Sequence, residues 1–230
     1  MKHIKEFSRF AHVYADYNRI QKEVAKELLA LVEGNPRSIV DLGCGSGTLY
    51  KEISWEVEHF LACDLSQNML DNHPKDLKIE TLCQSFDDPQ LFRRLNKESF
   101  DYLLSSSSFQ WSQDLKELFK SVNTLQKPFA LSLFTSDTFK SLHEQAQTVS
   151  PLYSKETIEA VAKEYLDVDV IVKQYILNFK SIRELFTYLK RSGVSGTEKQ
   201  LNYKQTKKLM QEYPLDYLEF EVAFIVKNPT

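Results

Sequence analysis

The chain of 230 residues predicts an α/β fold in which a mostly parallel sheet of seven strands carries helices on both faces. Short runs rich in β-branched, aromatic and leucine residues alternate with stretches long enough for crossover helices. Those stretches place apolar residues at three- and four-residue steps. Glycine is also concentrated: there are six, where average usage of about 7% would give roughly sixteen. Three of them, Gly43, Gly45 and Gly47, fall at the end of one apolar run, where a strand turns into a helix.

The elements follow in order. An amino-terminal helix is predicted from Val13, Tyr17, Ile20, Val24, Leu28 and Leu31, stopped by Gly34-Asn35-Pro36. Five strand-like runs come next: Ser38 to Leu42, His59 to Asp64, Leu77 to Cys83, Phe100 to Ser105 and Phe129 to Phe134. Before the fifth, Ser112 is positioned to cap a helix with the stripe Leu115, Leu118, Phe119, Val122 and Leu125, and Pro128 follows it. Phe139, Leu142, Ala146 and Val149 predict a helix ending near Pro151, and Thr157 to Leu166 another. A strand lies within Val168 to Phe179. Two capping boxes, Ser181-x-x-Glu184 and Thr197-x-x-Gln200, open two more helices, the first closed by Gly193. Leu215 to Lys227 reads as the last strand. No Gly/Ser/Pro-rich linker interrupts the chain, so one domain is expected.

Composition excludes several classes. At 42% hydrophobic and 27% charged, the chain is neither disordered nor low-complexity. No apolar run approaches a membrane span, and no secretory signal is read at the start, so a cytoplasmic protein without membrane contact is expected. Cys44, Cys63 and Cys83 match neither a disulfide framework nor a zinc pattern, so no metal is expected. A net charge of −3 argues against broad capture of nucleic acid.

The glycine turn carries chemistry. Alternate glycines let backbone approach a ligand, and in open α/β sheets that crevice lies at the carboxyl ends of the strands. Asp64 ends the next strand, where an acid can accept hydrogen bonds from a ribose diol. A dinucleotide site wants G-x-G-x-x-G, whereas here Asp41 precedes Gly43-x-Gly45-x-Gly47. A carboxylate beside the turn suits a ligand with ammonium or sulfonium charge better than a phosphate. The pattern D-x-G-x-G-x-G resembles motif I of class I S-adenosylmethionine-dependent methyltransferases. The Asn/Asp-Pro-Pro-aromatic stretch of amine-directed base methyltransferases is absent after the fourth strand, and no cysteine follows Cys83 to act as a cytosine-C5 nucleophile.

Several segments together resemble the malonyl-acyl-carrier-protein O-methyltransferases of biotin synthesis. Phe7-Ser-Arg-Phe-Ala-His-Val-Tyr14, leading to Gln21, is similar to that family's first helix. Phe100 to Trp111 followed by Asp114-Leu115 resembles its F-D-x-x-x-S-N-x-x-x-Q-W block, with Ser106 in place of Asn. Phe134-Thr135 with Ser141-Leu142-His143-Glu144, and Ser181 to Gly193, resemble two later segments, while Lys127-Pro-Phe-Ala130 replaces an R-P-G-G turn. The resemblance implies a Rossmann-like class I methyltransferase fold with a helical lid over 1–33 and a cofactor-binding half over 37–136. A helical insertion over 137–166 and a carboxy-terminal, substrate-side part over 167–230 would complete it. It implies S-adenosyl-L-methionine as cofactor and S-adenosyl-L-homocysteine as product. Asp41, Gly43, Gly45 and Gly47 would surround the methionine part, and Asp64 would take the ribose. Leu65, Met69, Ser85 and Phe86 would bound adenine, and Ser105 would sit near the sulfonium. Tyr14, Tyr17, Gln110 and Trp111 would serve catalysis at the acceptor side.

Charge adds a clue to the partner. Between Lys173 and Lys208 nine basic residues face two acidic ones, a balance of +7 in a chain of −3. A basic face including Arg183, Lys190, Arg191, Lys204, Lys207 and Lys208 would suit an acidic acyl-carrier protein. A monomer is expected. Two further readings stay open: a methyltransferase of another small carboxylate or a quinone-type metabolite, and a catalytically silent cofactor-binding regulator.

Overall fold

The computed structural model describes residues 18–192 and 203–229. Its centre is a seven-stranded sheet of β1 (Ser38–Leu42), β2 (His59–Asp64), β3 (Ile79–Cys83), β4 (Tyr102–Ser106), β5 (Phe129–Phe134), β6 (Val170–Asn178) and β7 (Tyr217–Lys227). The spatial order is β3-β2-β1-β4-β5-β7-β6, with β7 antiparallel to both neighbours and the other pairings parallel. The first strands run outward from β1 to β3 and the chain then crosses back to place β4 on β1's other side. That reversal opens a crevice at the carboxyl ends of β1 and β4.

Helices α1 (Arg19–Ala30), α2 (Thr48–Glu52), α3 (Gln67–Asp71), α4 (Pro89–Leu95), α5 (Leu115–Thr124), α6 (Lys140–Ala146), α7 (Lys155–Tyr165), α8 (Ile182–Ser192) and α9 (Tyr203–Glu212) surround the sheet. One face is covered by α1, α8 and α9, whose Val24, Leu28, Leu185, Tyr188 and Leu209 pack with Phe60, Tyr102 and Phe220. The other is covered by α4, α5 and α7, through Leu91, Leu118, Phe119, Ile158 and Ala162 against Val40, Leu103 and Leu131. Arg19 fastens α1 to α8, lying over the rings of Phe179 (5.6 Å) and Tyr188 (5.8 Å) and pairing with Glu184 (3.8 Å).

Several expectations need correction. Ser112 does not cap α5: Asp114 does, its carboxylate accepting from Glu117 N at 3.1 Å, while the Ser112 hydroxyl donates to Asp87 at 2.7 Å. The helix expected to run toward Pro151 ends at Ala146, because Gln147 turns left-handed (φ 54°), and Val149 is exposed rather than on an apolar stripe. Strands β3 and β4 start two residues late; Leu77 is fully exposed, and Asp101 instead ties β4's entrance to β1 by accepting from Arg37 N and Ser38 N. Within segment 137–166 the chain forms α6 and α7 between β5 and β6, and Ile158 and Ala162 of α7 are fully buried. At Ser181 the hydroxyl accepts from Glu184 N at 3.2 Å, but Glu184 reaches back to Lys180 N, one residue before the position a capping box requires. The second box, Thr197 to Gln200, and Gly193 lie outside the described residues.

Candidate active site

A cavity of about 420 Å³ occupies the crevice, lined by Asp41, Gly43, Gly45, Asp64, Leu65, Met69, Ser85, Phe86 and Trp111 among the residues singled out from the sequence. Their gathering follows from topology. Parallel pairing brings the ends of β1, β2 and β4 side by side, so the turn after Leu42 meets Asp64 on one flank and Ser106–Ser108 on the other.

The glycines serve different needs. Gly43 (φ 78°) donates its N–H to Cys63 O at 2.7 Å, and a Cβ there would sit 2.4 Å from the Ser108 side chain. Gly45 (φ 54°) faces open space on the cavity wall, where a side chain would occupy ligand volume. Gly47 (φ 78°) does not line the cavity; it begins α2, and its Cβ would strike Pro74 and His73 at 2.6 and 2.8 Å.

Asp41 is the electrostatic centre. It is 1% exposed, and among the described residues neither carboxylate oxygen has a hydrogen-bond partner. Burial, with the Asp64 charge adding to it, pushes its carboxyl up to about 8. Such a group costs stability unless a ligand supplies the missing donors. Asp64 is also raised by burial, but less freely, because its oxygens accept from Gly45 N (2.9 Å) and Ser66 N (2.8 Å). The Cys44 and Cys63 thiols are pushed up by burial and the nearby carboxylates, which makes them packing groups rather than nucleophiles. Among the described residues no cluster of three or more metal-ligating side chains occurs.

Some residues stand elsewhere. Ser105 is fully buried, its hydroxyl on Leu42 O at 2.7 Å, and the wall at that point is Ser106, Ser107 and Ser108. Gln110 lies behind the wall, 4% exposed, donating to Ser107 O at 2.7 Å. Tyr14 and Tyr17, and the side chains of Lys190 and Arg191, lie outside the described residues. Gln21 on α1 was given no role by the sequence, yet it lines the cavity with its Oε1 buried and, among the described residues, unpartnered. The signal was a polar residue on the buried stripe of Ile20, Val24, Ala25 and Leu28.

The residues present fit S-adenosylmethionine: an unpartnered carboxyl for a cation, a second acid on the neighbouring strand, and apolar Leu65, Met69 and Phe86 beyond it. Residues 39–128 match the family model described as a methyltransferase domain. The fold is shared with the YcgJ protein of Bacillus subtilis (11% identity, 90% of this chain, 99% of that chain, TM-score 0.61). It is shared too with a SAM-dependent methyltransferase of Archaeoglobus fulgidus (16% identity, 91% and 94% covered, TM-score 0.52). The fold is that of the class I methyltransferases, and the site and the domain match over residues 39–128 together support an S-adenosylmethionine-dependent methyltransferase.

Over most of its length the chain is similar to enzymes of one name. The malonyl-[acyl-carrier protein] O-methyltransferase of Bacillus anthracis is 24% identical over 90% of this chain and 85% of that protein. Its namesake in Acinetobacter baylyi is 25% identical over 94% and 88%.

Proposed function

We propose that this methyltransferase converts the free carboxylate of a malonyl thioester, carried on acyl-carrier protein, to its methyl ester, an early step of biotin synthesis. The cofactor half of this reading rests above all on Asp41, a buried carboxyl without a partner on the wall of a glycine-lined cavity. The acceptor half rests on the similarity to malonyl-[acyl-carrier protein] O-methyltransferases along nine-tenths of the chain.

When bound, S-adenosylmethionine supplies an electrophilic methyl group. Asp41 and Gln21 would accept from its ammonium, and Gly43 and Gly45 would let it lie against backbone. Asp64 would accept from the ribose hydroxyls through lone pairs left beside its bonds to Gly45 and Ser66. Leu65, Met69 and Phe86 would sheathe the adenine, with Ser85 at its edge. Ser105 acts through packing, joining β4 to Leu42.

A malonyl carboxylate is ionised at pH 7, so no strong general base is needed. The chain's task is to align it in a dry site, and orientation of this kind supplies up to about 7–11 kcal/mol. Trp111 offers an apolar wall beside the acceptor, and the segment holding Tyr14 and Tyr17 would close the site. The basic residues of α8 and α9 would receive the carrier protein.

The test is a substrate panel with methyl-labelled S-adenosylmethionine: malonyl-carrier protein, malonyl-CoA, free malonate and quinone precursors. Label in the malonyl thioesters, with the carrier form preferred, supports the reading. Label only in malonate or a quinone precursor moves the enzyme to another acceptor class, and binding without transfer to any makes it a silent cofactor-binding protein.

A further inference from the structure

Four consecutive serines, Ser105 to Ser108, form the end of β4 and the turn beside the cavity, and their hydroxyls are not equivalent. Those of Ser105 and Ser108 meet at the Leu42 carbonyl (2.7 and 3.0 Å) and at each other (2.7 Å). That of Ser106 accepts from Ser132 Oγ at 3.2 Å. Ser107 Oγ is buried and, among the described residues, has no partner, although Ser107 lines the cavity.

Ser107 carries a second cost. Its φ is 56°, in the left-handed region that disfavours a residue with a Cβ. The strain is held from both sides: Ser107 N donates to Ser132 O on β5 (2.9 Å), and its carbonyl accepts from the buried Gln110 amide (2.7 Å). An unmet hydroxyl and a strained backbone on one braced residue are what a preorganised ligand contact looks like before its ligand arrives.

Position decides which ligand. Asp64, on β2, lies across β1 from Ser107, which follows β4 and is tied to β5, while Asp41, on β1 beside β4, is the buried carboxyl reserved for the cofactor's ammonium in the reading above. A hydroxyl is a donor suited to a carboxylate oxygen, and the anion has no reason to lie near the two acids. We infer that Ser107 Oγ donates to the acceptor carboxylate and orients it for methyl transfer, with Gln110 as the positioning residue that braces Ser107. The inference rests on the carboxylate reading above and names the residue that would hold that substrate.

The experiment compares the parent with Ser107→Ala, which deletes the hydroxyl, and Ser107→Gly, which deletes it and also relieves the backbone. Cofactor affinity by calorimetry, melting temperature, and kcat and KM for malonyl-carrier protein are measured for all three. The expected result is the same loss of kcat/KM in both variants, roughly 10- to 100-fold, with cofactor affinity unchanged and Ser107→Gly melting no lower than the parent. Full activity in both variants, loss in only one of them, or a parallel fall in cofactor affinity would overturn the assignment. An inactive parent would instead refute the malonyl reading itself, and the assignment with it.

Discussion

Asp41 concentrates the energetics of the site in one side chain. Its carboxyl, raised to about 8 by burial and by Asp64, keeps a proton in the folded protein that the unfolded chain gives up above about pH 4. The contribution to stability is therefore present at low pH and drains as pH climbs toward 8, by about 1 kcal/mol per pH unit. An ammonium placed against it favours the ionised form, so cofactor binding at pH 7 should expel a proton. Calorimetry in buffers of different ionisation enthalpy should detect that proton in the parent and not in Asp41→Asn. The variant should also bind the cofactor roughly 10-fold or more weakly, and its ligand-free stability should lose the downward slope between pH 6 and 8. Equal proton release in both proteins would remove Asp41 from the ammonium's surroundings. The acid was legible in the sequence because its spacing to the glycines is a chemical pattern. Ser107 was not: four serines in a row carry no spacing signal, and the left-handed turn that leaves one of its three cavity-lining serines with an unmet hydroxyl depends on Ser132 and Gln110.

At the scale of elements, strands were read best where both faces are buried. β1, β2 and β5 match the sequence expectation residue for residue, because mostly apolar runs bounded by Gly43, Asp64 and Pro128 leave little freedom in placing them. Ends set by side-chain hydrogen bonds were harder, as α5 illustrates. Ser112 and Asp114 are both good cap residues, and the choice went to Asp114 because Asp87 on the β3–α4 connection engages the Ser112 hydroxyl. Asp114→Ala should therefore cost about 1 kcal/mol and lower the melting temperature by about 2–4 °C. Ser112→Ala should leave the helix capped and act instead through Asp87 and Gln113, on the cavity wall. A larger loss of helix stability from Ser112→Ala in a melting comparison would reverse this assignment.

Across the whole molecule, charge is distributed as unevenly as glycine. The segment 173–208 holds +7 in a chain of −3, and exposed Arg183, Lys204, Lys207 and Lys208 carry part of it on α8 and α9. The fold puts those helices together with α1 on one face of the sheet, fastened through Arg19 to Phe179, Tyr188 and Glu184. If that face receives an anionic carrier, Lys204→Glu with Lys207→Glu should lower kcat/KM for malonyl-carrier protein several-fold at low salt. The effect should shrink as salt rises, with malonyl-CoA unaffected. Equal effects on both thioesters would dismiss the face as a carrier site.

The most direct test of the account is the intact mass of malonyl-loaded carrier protein after turnover with methyl-labelled S-adenosylmethionine, together with the volatile label that mild alkali then releases from it. Carboxyl methylation predicts a gain of one CH₂ on the malonyl group that alkali removes as methanol. A mass that does not change, or a methyl group that survives alkali on carbon or on the protein, would contradict it.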